Sequence, residues 1–312
     1  MSGTASNPAA APAPPKAGNA AGQRSSASPP AQHLLLFHED PPTEWLKTVA
    51  LECGAQGVER LGHVGFRLLR VKRPEAAAEA VVAGAPEAFD WALLPAERKV
   101  TDFGMLVCDM DATLIENECV DELAAMLPDP APVIALTRLA MEGRIPVEDS
   151  LRRRIDALGG MPERAIRAVL AGRIAMRPGV ERLMRLARTA GWPIVLATGG
   201  FAQFAEPIAG RLGIKEIICN RLDIEDERLT GSFSGEIVDA ASKALAVAKV
   251  AKRLGVKMRQ IVALGDGAND SVLLRNAGLS VGIRPKPLIA SLADHSLHHA
   301  PLDVVWYLAG GE

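Results

Sequence analysis

From Met105 onward, short apolar runs alternate with helix-length amphipathic stretches. GMLVC, WPIVLA, QIVALG and LSVGI are continuous hydrophobic runs, as expected of parallel strands buried on both faces. Apolar positions at helical spacing predict helices between them, at about 179–190, 201–212, 243–255 and 268–277. Strands alternating with helices imply an α/β core, a Rossmann-like parallel sheet covered on both faces. The stretch from Val120 to Gly172 breaks the alternation, because it reads as several helices with no strand among them. It predicts a helical cap at about 117–175, inserted after the first core strand and seated over the carboxyl edge of the sheet. RLDIEDERLTGSFSGEIV alternates around turn residues and predicts a hairpin near that same edge.

Upstream the pattern is different. HLLLF reads as a buried strand, TEWLKTVALECGAQ as an amphipathic helix, GHVGFRLLRVK as a second strand and PEAAAEAVVAGAP as a second helix. These predict a small N-terminal α+β domain over 33–100, ahead of the α/β domain over 101–312. Residues 1–32 are mostly Ala, Pro, Gly and Ser, with no acidic residue before Glu39. Such a segment cannot bury enough apolar surface to offset its ordering entropy and is read as a disordered tail. It lacks the apolar stretch of a secretory signal and the arginines of a transit peptide.

Composition narrows the classes. With 48% hydrophobic and 23% charged residues, the chain is an ordinary globular protein. Its 35 basic and 37 acidic side chains leave a formal charge of -2, which offers no global field to nucleic acid or an anionic membrane. No apolar run approaches the roughly 18 residues that span a bilayer. The expectation is no nucleic acid and no membrane partner. Cys53, Cys108, Cys119 and Cys219 form no CxxC pair, so neither a disulfide framework nor a zinc knuckle is implied and a cytoplasmic setting is expected.

Candidate chemistry gathers at the ends of the core strands, where open parallel sheets bind ligands. DMDATL follows the run MLVC, so Asp109 and Asp111 leave the strand together. Residues at i and i+2 can point to one side, letting one carboxylate attack while the other handles a proton. Two crowded carboxylates also call for a cation, and oxygen ligands suit Mg²⁺. The competing reading is an Asp-rich turn that ends a strand. ATGGF, Ala197 to Phe201, offers the Thr198 hydroxyl and glycine N–H groups as an anion cradle at a helix start. Lys243 opens the helix SKALAVAKVAKRLG, either as a solvated surface lysine or as a point charge for a phosphoryl oxygen. GDGAND, Gly265 to Asp270, puts two acids and an amide at another strand end, without the spacing or closing Glu of a calcium loop. His295, His298 and His299 are read as a solvated loop.

The order and context of DMDATL, ATGGF, Lys243 and GDGAND resemble the four signatures of the haloacid dehalogenase superfamily of phosphatases. DMDATLIENECVDELA, MEGRIPVEDSLRRRIDAL, NRLDIEDERLTG and GDGANDSVLLRNAGLSVGIRPKP are more closely similar to the phosphoserine phosphatase family within it. The resemblance covers about 103–310 and suggests an ACT-like regulatory module for 33–100. It implies hydrolysis of O-phospho-L-serine, the small-molecule substrate, to serine and phosphate as the last step of serine biosynthesis. Asp109 is then the nucleophile and Asp111 the acid and base. Mg²⁺ is held by Asp109, the Asp111 carbonyl and Asp266. Thr198, Gly199, Lys243 and Asn269 hold the phosphoryl group, and Asp270 orients Lys243. In the cap, Glu118 takes the substrate ammonium and Arg154 its carboxylate, beside an apolar wall at Met141 and Val147. Ala112 and Thr198 depart from the family's usual Ser; Thr198 keeps the hydroxyl, and Ala112 leaves every charged participant intact. A phosphotransferase using homoserine or another alcohol as acceptor remains an alternative, as does a non-catalytic amino-acid sensor. A homodimer is a candidate assembly.

Overall fold

The computed structural model describes residues 31–141, 144–235 and 237–312. The expected tail at 1–32 therefore lies almost wholly outside the described residues. The chain divides into two compact units, one reaching to Arg98 and including Ser296–Ala300, the other formed by Lys99–His295 and Pro301–Glu312.

The first unit runs β1 (Gln32–Phe37), α1 (Thr43–Cys53), β2 (Gly57–Leu61), β3 (Gly65–Val71), α2 (Pro74–Val82) and β4 (Asp90–Pro95). Its antiparallel sheet has the order β2-β3-β1-β4. Leu34 and Leu36 of β1 and Leu68 of β3 pack with Trp45 and Val49 of α1 and Val81 of α2 into one core. The sequence pattern anticipated β1, β3 and both helices but neither β2 nor β4. GVERL is an edge strand exposed at three central positions, so it carries no hydrophobic period, and DWALLP ends in a proline that masks it. Asp90 also accepts backbone N–H bonds from His298, His299 and Ala300, at 2.7–3.0 Å.

The second unit holds β5 (Met105–Cys108), the cap helices α3 (Cys119–Ala124), α4 (Ala131–Met141), α5 (Val147–Asp156) and α6 (Arg164–Gly172), then α7 (Val180–Thr189) and β6 (Ile194–Phe201). It continues through α8 (Ala202–Leu212), the hairpin β7 (Glu216–Glu225) and β8 (Arg228–Ser234), α9 (Ala240–Arg253), β9 (Ile261–Gly265) and α10 (Ser271–Asn276). β10 (Leu279–Ile283), α11 (Pro287–Leu292), β11 (His295–Leu297) and α12 (Val304–Leu308) complete the chain. The sheet order is β11-β10-β9-β5-β6-β7-β8, with β10, β9, β5, β6 and β7 mutually parallel and β8 antiparallel. Every residue of β5, β9 and β10 is buried, which is why those strands read as unbroken apolar runs. Met105, Val107, Val195 and Ala263 pack beneath Val247 and Ala251 of α9 and Leu273 and Leu274 of α10.

The cap leaves and re-enters the core at one place, where Ile115 and Met176 form a bridge and the Arg177 N–H donates to the Leu114 carbonyl. The β7–β8 hairpin meets the cap through backbone bonds between Leu229 and both Gly160 and Met161. Among the described residues, no helix is long and apolar enough to cross a membrane.

Candidate active site

Four strand ends supply the site. Asp109 continues the ladder of β5 by donating its N–H to the Leu264 carbonyl, which fixes it at the carboxyl edge. The chain then turns sharply. Asp111 is extended (φ -64, ψ 138) and Ala112 is left-handed (φ 51, ψ 3), with the Ala112 N–H closing the turn onto the Asn117 carbonyl. Buried Arg177 grips this turn, donating from Nε to the Thr113 carbonyl at 3.0 Å and from Nη2 to the Ala112 carbonyl at 2.7 Å. It holds a conformation that costs an alanine about 1 kcal/mol.

The Asp111 Oδ1 accepts the Cys119 N–H at 2.9 Å. Its Oδ2 lies against Gly200, where a Cβ would come within 2.9 Å of it, so the close approach requires glycine there. Burial, reinforced by neighbouring Asp109 and Asp266 against the bonds from Cys119, pushes the Asp111 carboxyl up to about 6. A carboxyl in that range can give and take a proton near neutral pH.

Lys243 is fully buried, delivered by the capping box in which the Ser242 N–H donates to Asp239 Oδ1. Its Nζ donates to Asp109 Oδ1 at 2.7 Å and to Asp270 Oδ1 at 2.6 Å. Burial alone would lower its pKa, but the two carboxylates outweigh that and push it up. Asp270 Oδ2 accepts the N–H groups of Asp266 and Gly267, so both Asp270 oxygens are engaged. A Cβ on Gly265 would sit 2.3 Å from the Asp270 Cγ, which ties that glycine to the same bracing. Asp109 differs, because among the described residues its Oδ2 accepts no hydrogen bond.

Oxygens of Asp109, Asp266 and Asp270, all buried, lie within 4.8 Å of one another. Burial, and Asp109 nearby, raise Asp266 to about 6 despite Lys286, which donates to its Oδ2 at 2.9 Å. Crowded, desolvated carboxylates with hard oxygen donors fit a divalent cation such as Mg²⁺. The Thr198 hydroxyl accepts the Gly200 N–H at 2.9 Å. Asn269 lies beside both Gly199 and Gly267.

The cap contributes Glu118, at the start of α3, and Arg154 on α5. Burial, with Asp111 close by, pushes Glu118 up to about 7, and Lys286 Nζ stands 3.7 Å from its Oε1. Of the three consecutive arginines, Arg152 and Arg153 are exposed and Arg154 turns inward. It shares α5 with the buried Ser150, Leu151 and Ile155. The side chains of Met141 and Val147, expected to form an apolar wall, lie outside the described residues.

Three contributors had escaped the sequence reading. Lys286 links Asp266 to Glu118, and its position after β10, at a strand's carboxyl end, was the available signal. Arg177 acts on main-chain carbonyls, which leave no mark in a sequence. Asn220 donates to the Gly199 carbonyl at 2.7 Å and accepts the Val238 N–H at 2.9 Å, tying the glycine turn to the entry of α9. Among the described residues, His295, His298 and His299 join no candidate metal group with the acids, and His295 is buried in β11, against the expectation of a solvated loop, because that segment is a sheet strand.

Residues 106–275 match the haloacid dehalogenase-like hydrolase family. The chain belongs to that family. This hydrolase is 38% identical over 218 residues to phosphoserine phosphatase SerB2 of Mycobacterium tuberculosis; the match covers 68% of the chain and 53% of that relative, so the chain spans about half its length. A structure of a phosphoserine phosphatase as an analogue of its phospho-aspartyl intermediate is 31% identical, with a TM-score of 0.62, covering 66% of this chain and 98% of that one. A probable phosphoserine phosphatase from Vibrio cholerae is 27% identical with a TM-score of 0.76, covering 89% of this chain and 86% of that one.

Proposed function

We propose that this hydrolase converts O-phospho-L-serine to L-serine and phosphate through an aspartyl-phosphate on Asp109. The observation that carries the reading is the asymmetry of Asp109: Lys243 engages Oδ1, which keeps a second lone pair for a cation, and Oδ2 is left for attack. Asp109 Oδ2 attacks phosphorus and the serine ester bond breaks, while Asp111 passes its proton to the departing serine oxygen. Asp111 then takes a proton from the water that attacks the aspartyl-phosphate, releasing phosphate and restoring Asp109. Thr198, Gly199, Lys243 and Asn269 hold the phosphoryl oxygens as charge shifts among them. Asp270 keeps Lys243 aimed. Mg²⁺, held by Asp109, the Asp111 carbonyl and Asp266, supplies positive charge to the phosphoryl group when bound.

Glu118 receives the substrate ammonium and Arg154 its carboxylate. The names of the relatives and the inward turn of Arg154 support that choice of substrate. In this reading the reaction is the last step of serine biosynthesis and runs in the cytoplasm. Residues 33–100 form an ACT-like regulatory module in this reading, supported by the βαββαβ order and the sheet order β2-β3-β1-β4.

The test is phosphate release from a panel of phosphomonoesters, with Mg²⁺ or with chelator, and Asp109→Asn as control. Metal-dependent preference for O-phospho-L-serine, lost in the control, is expected. Turnover without that preference removes the substrate assignment, and full activity of Asp109→Asn removes the mechanism.

A further inference from the structure

Arg154 lies where three cap helices meet, and its partners come from the other two. Its Nη1 donates to the Thr137 hydroxyl of α4 at 3.1 Å, and that hydroxyl donates in turn to Asp121 Oδ1 of α3 at 2.8 Å. Asp121 itself stays 3.6 Å from the guanidinium, an ion pair without a hydrogen bond. Charge therefore comes from the carboxylate and direction from the hydroxyl. Thr137 is buried, and one turn along α5 the Ser150 hydroxyl donates to the Leu136 carbonyl, pinning α4 to α5 beside this contact.

Arg154 Nε is buried with no hydrogen-bond partner among the described residues. An unsatisfied buried donor on a charged group is costly, and it persists where function uses it. Asp121 also lies one turn beyond Glu118 on α3, so a single helix carries the ammonium reader and the group that orients the carboxylate reader.

We infer that Thr137, aligned by Asp121, is a positioning residue for substrate specificity: it fixes the Arg154 guanidinium so that its fork is set in advance for a carboxylate. The inference rests on the reading of Arg154 given under the proposed function. A guanidinium on a flexible stem loses rotamer freedom when it grips a ligand, and a prior hydrogen bond removes part of that loss.

Thr137→Val keeps the side-chain shape and removes the hydroxyl's bonds to Arg154 and Asp121, together with a longer one to the Val133 carbonyl of its own helix; Thr137→Ser keeps the hydroxyl. The full chain is assayed on O-phospho-L-serine and on O-phosphoethanolamine, which has the phosphoryl and ammonium groups but no carboxylate. Thr137→Val is expected to lose about tenfold in kcat/KM on phosphoserine, chiefly through KM, with phosphoethanolamine within about twofold of wild type. Thr137→Ser restores the preference. If Thr137→Val does not fold, Thr137→Ala replaces it with the same expectation. Equal loss on both substrates, or no loss on phosphoserine, overturns the inference. Absence of any preference for phosphoserine in the wild type overturns instead the carboxylate-reading role of Arg154 beneath it.

Discussion

The phosphoryl end of this site and its cap end are built differently. At the phosphoryl end, Lys243, Asp109 and Asp270 are buried and bonded to one another before any ligand arrives, leaving Asp109 Oδ2 and the third N–H of Lys243 for the phosphoryl group. At the cap end, Glu118 and Asp121 are partly exposed, and Arg154 keeps an unmet Nε–H. The phosphoryl machinery is thus preorganised for a group common to every phosphomonoester. The cap is left for the particular substrate to complete. Chemistry and specificity should separate under mutation along that line.

Lys243→Met strikes the preorganised end hardest. It strands two buried carboxylates, which should cost about 3–5 kcal/mol of stability and lower turnover about 1,000-fold on every substrate. Melting curves and kcat measured together check it; a stable, active variant would break the comparison. Gly200→Ala tests preorganisation more finely. The added Cβ would come within 2.9 Å of the Asp111 carboxylate, and the displaced acid should cost about 100-fold in kcat, again on all substrates. An unchanged kcat would show that the position of Asp111 is not critical.

Changes at the cap should discriminate between substrates. Arg154→Lys loses the bidentate fork and should raise KM for phosphoserine about 10- to 30-fold, leaving phosphoethanolamine nearly unaffected. A uniform loss would place Arg154 in the fold of the cap.

The smallest effect is on pH and metal. Burial raises both Asp111 and Asp266 to about 6, so the native state keeps protons that the unfolded chain releases near pH 4. Stability of the metal-free protein therefore falls as pH rises from about 4 to about 6. A bound cation favours the ionised carboxylates, so Mg²⁺ should raise the melting temperature by a few degrees more at neutral pH than near pH 5. Equal shifts at both pH values would remove the carboxylates from metal binding.

The same division governs what was legible in the sequence. Asp109, Asp111, Asp266 and Asp270 stand in short motifs at the ends of continuous apolar runs, so topology alone brings them together. The helix at 243–255 was expected and α9 spans Ala240–Arg253, beginning three residues before Lys243. Arg154 was singled out by the family resemblance of SLRRRI, and in the structure it is the one of the three arginines that is not exposed. Arg177, Asn220 and the Thr137–Asp121 relay were not, since their partners are backbone groups or lie on other helices. β2 was hidden by its polarity: an edge strand needs no apolar period to pair with its neighbour.

The most direct test of the central claim is chemical trapping of the intermediate. Wild type and Asp109→Asn are mixed with O-phospho-L-serine and Mg²⁺, quenched in acid within a turnover and mapped by peptide. The account predicts a phosphoryl group on the peptide carrying Asp109 in the wild type and none in the variant. Turnover with no trapped phosphoryl, or a label on any other residue, would contradict it.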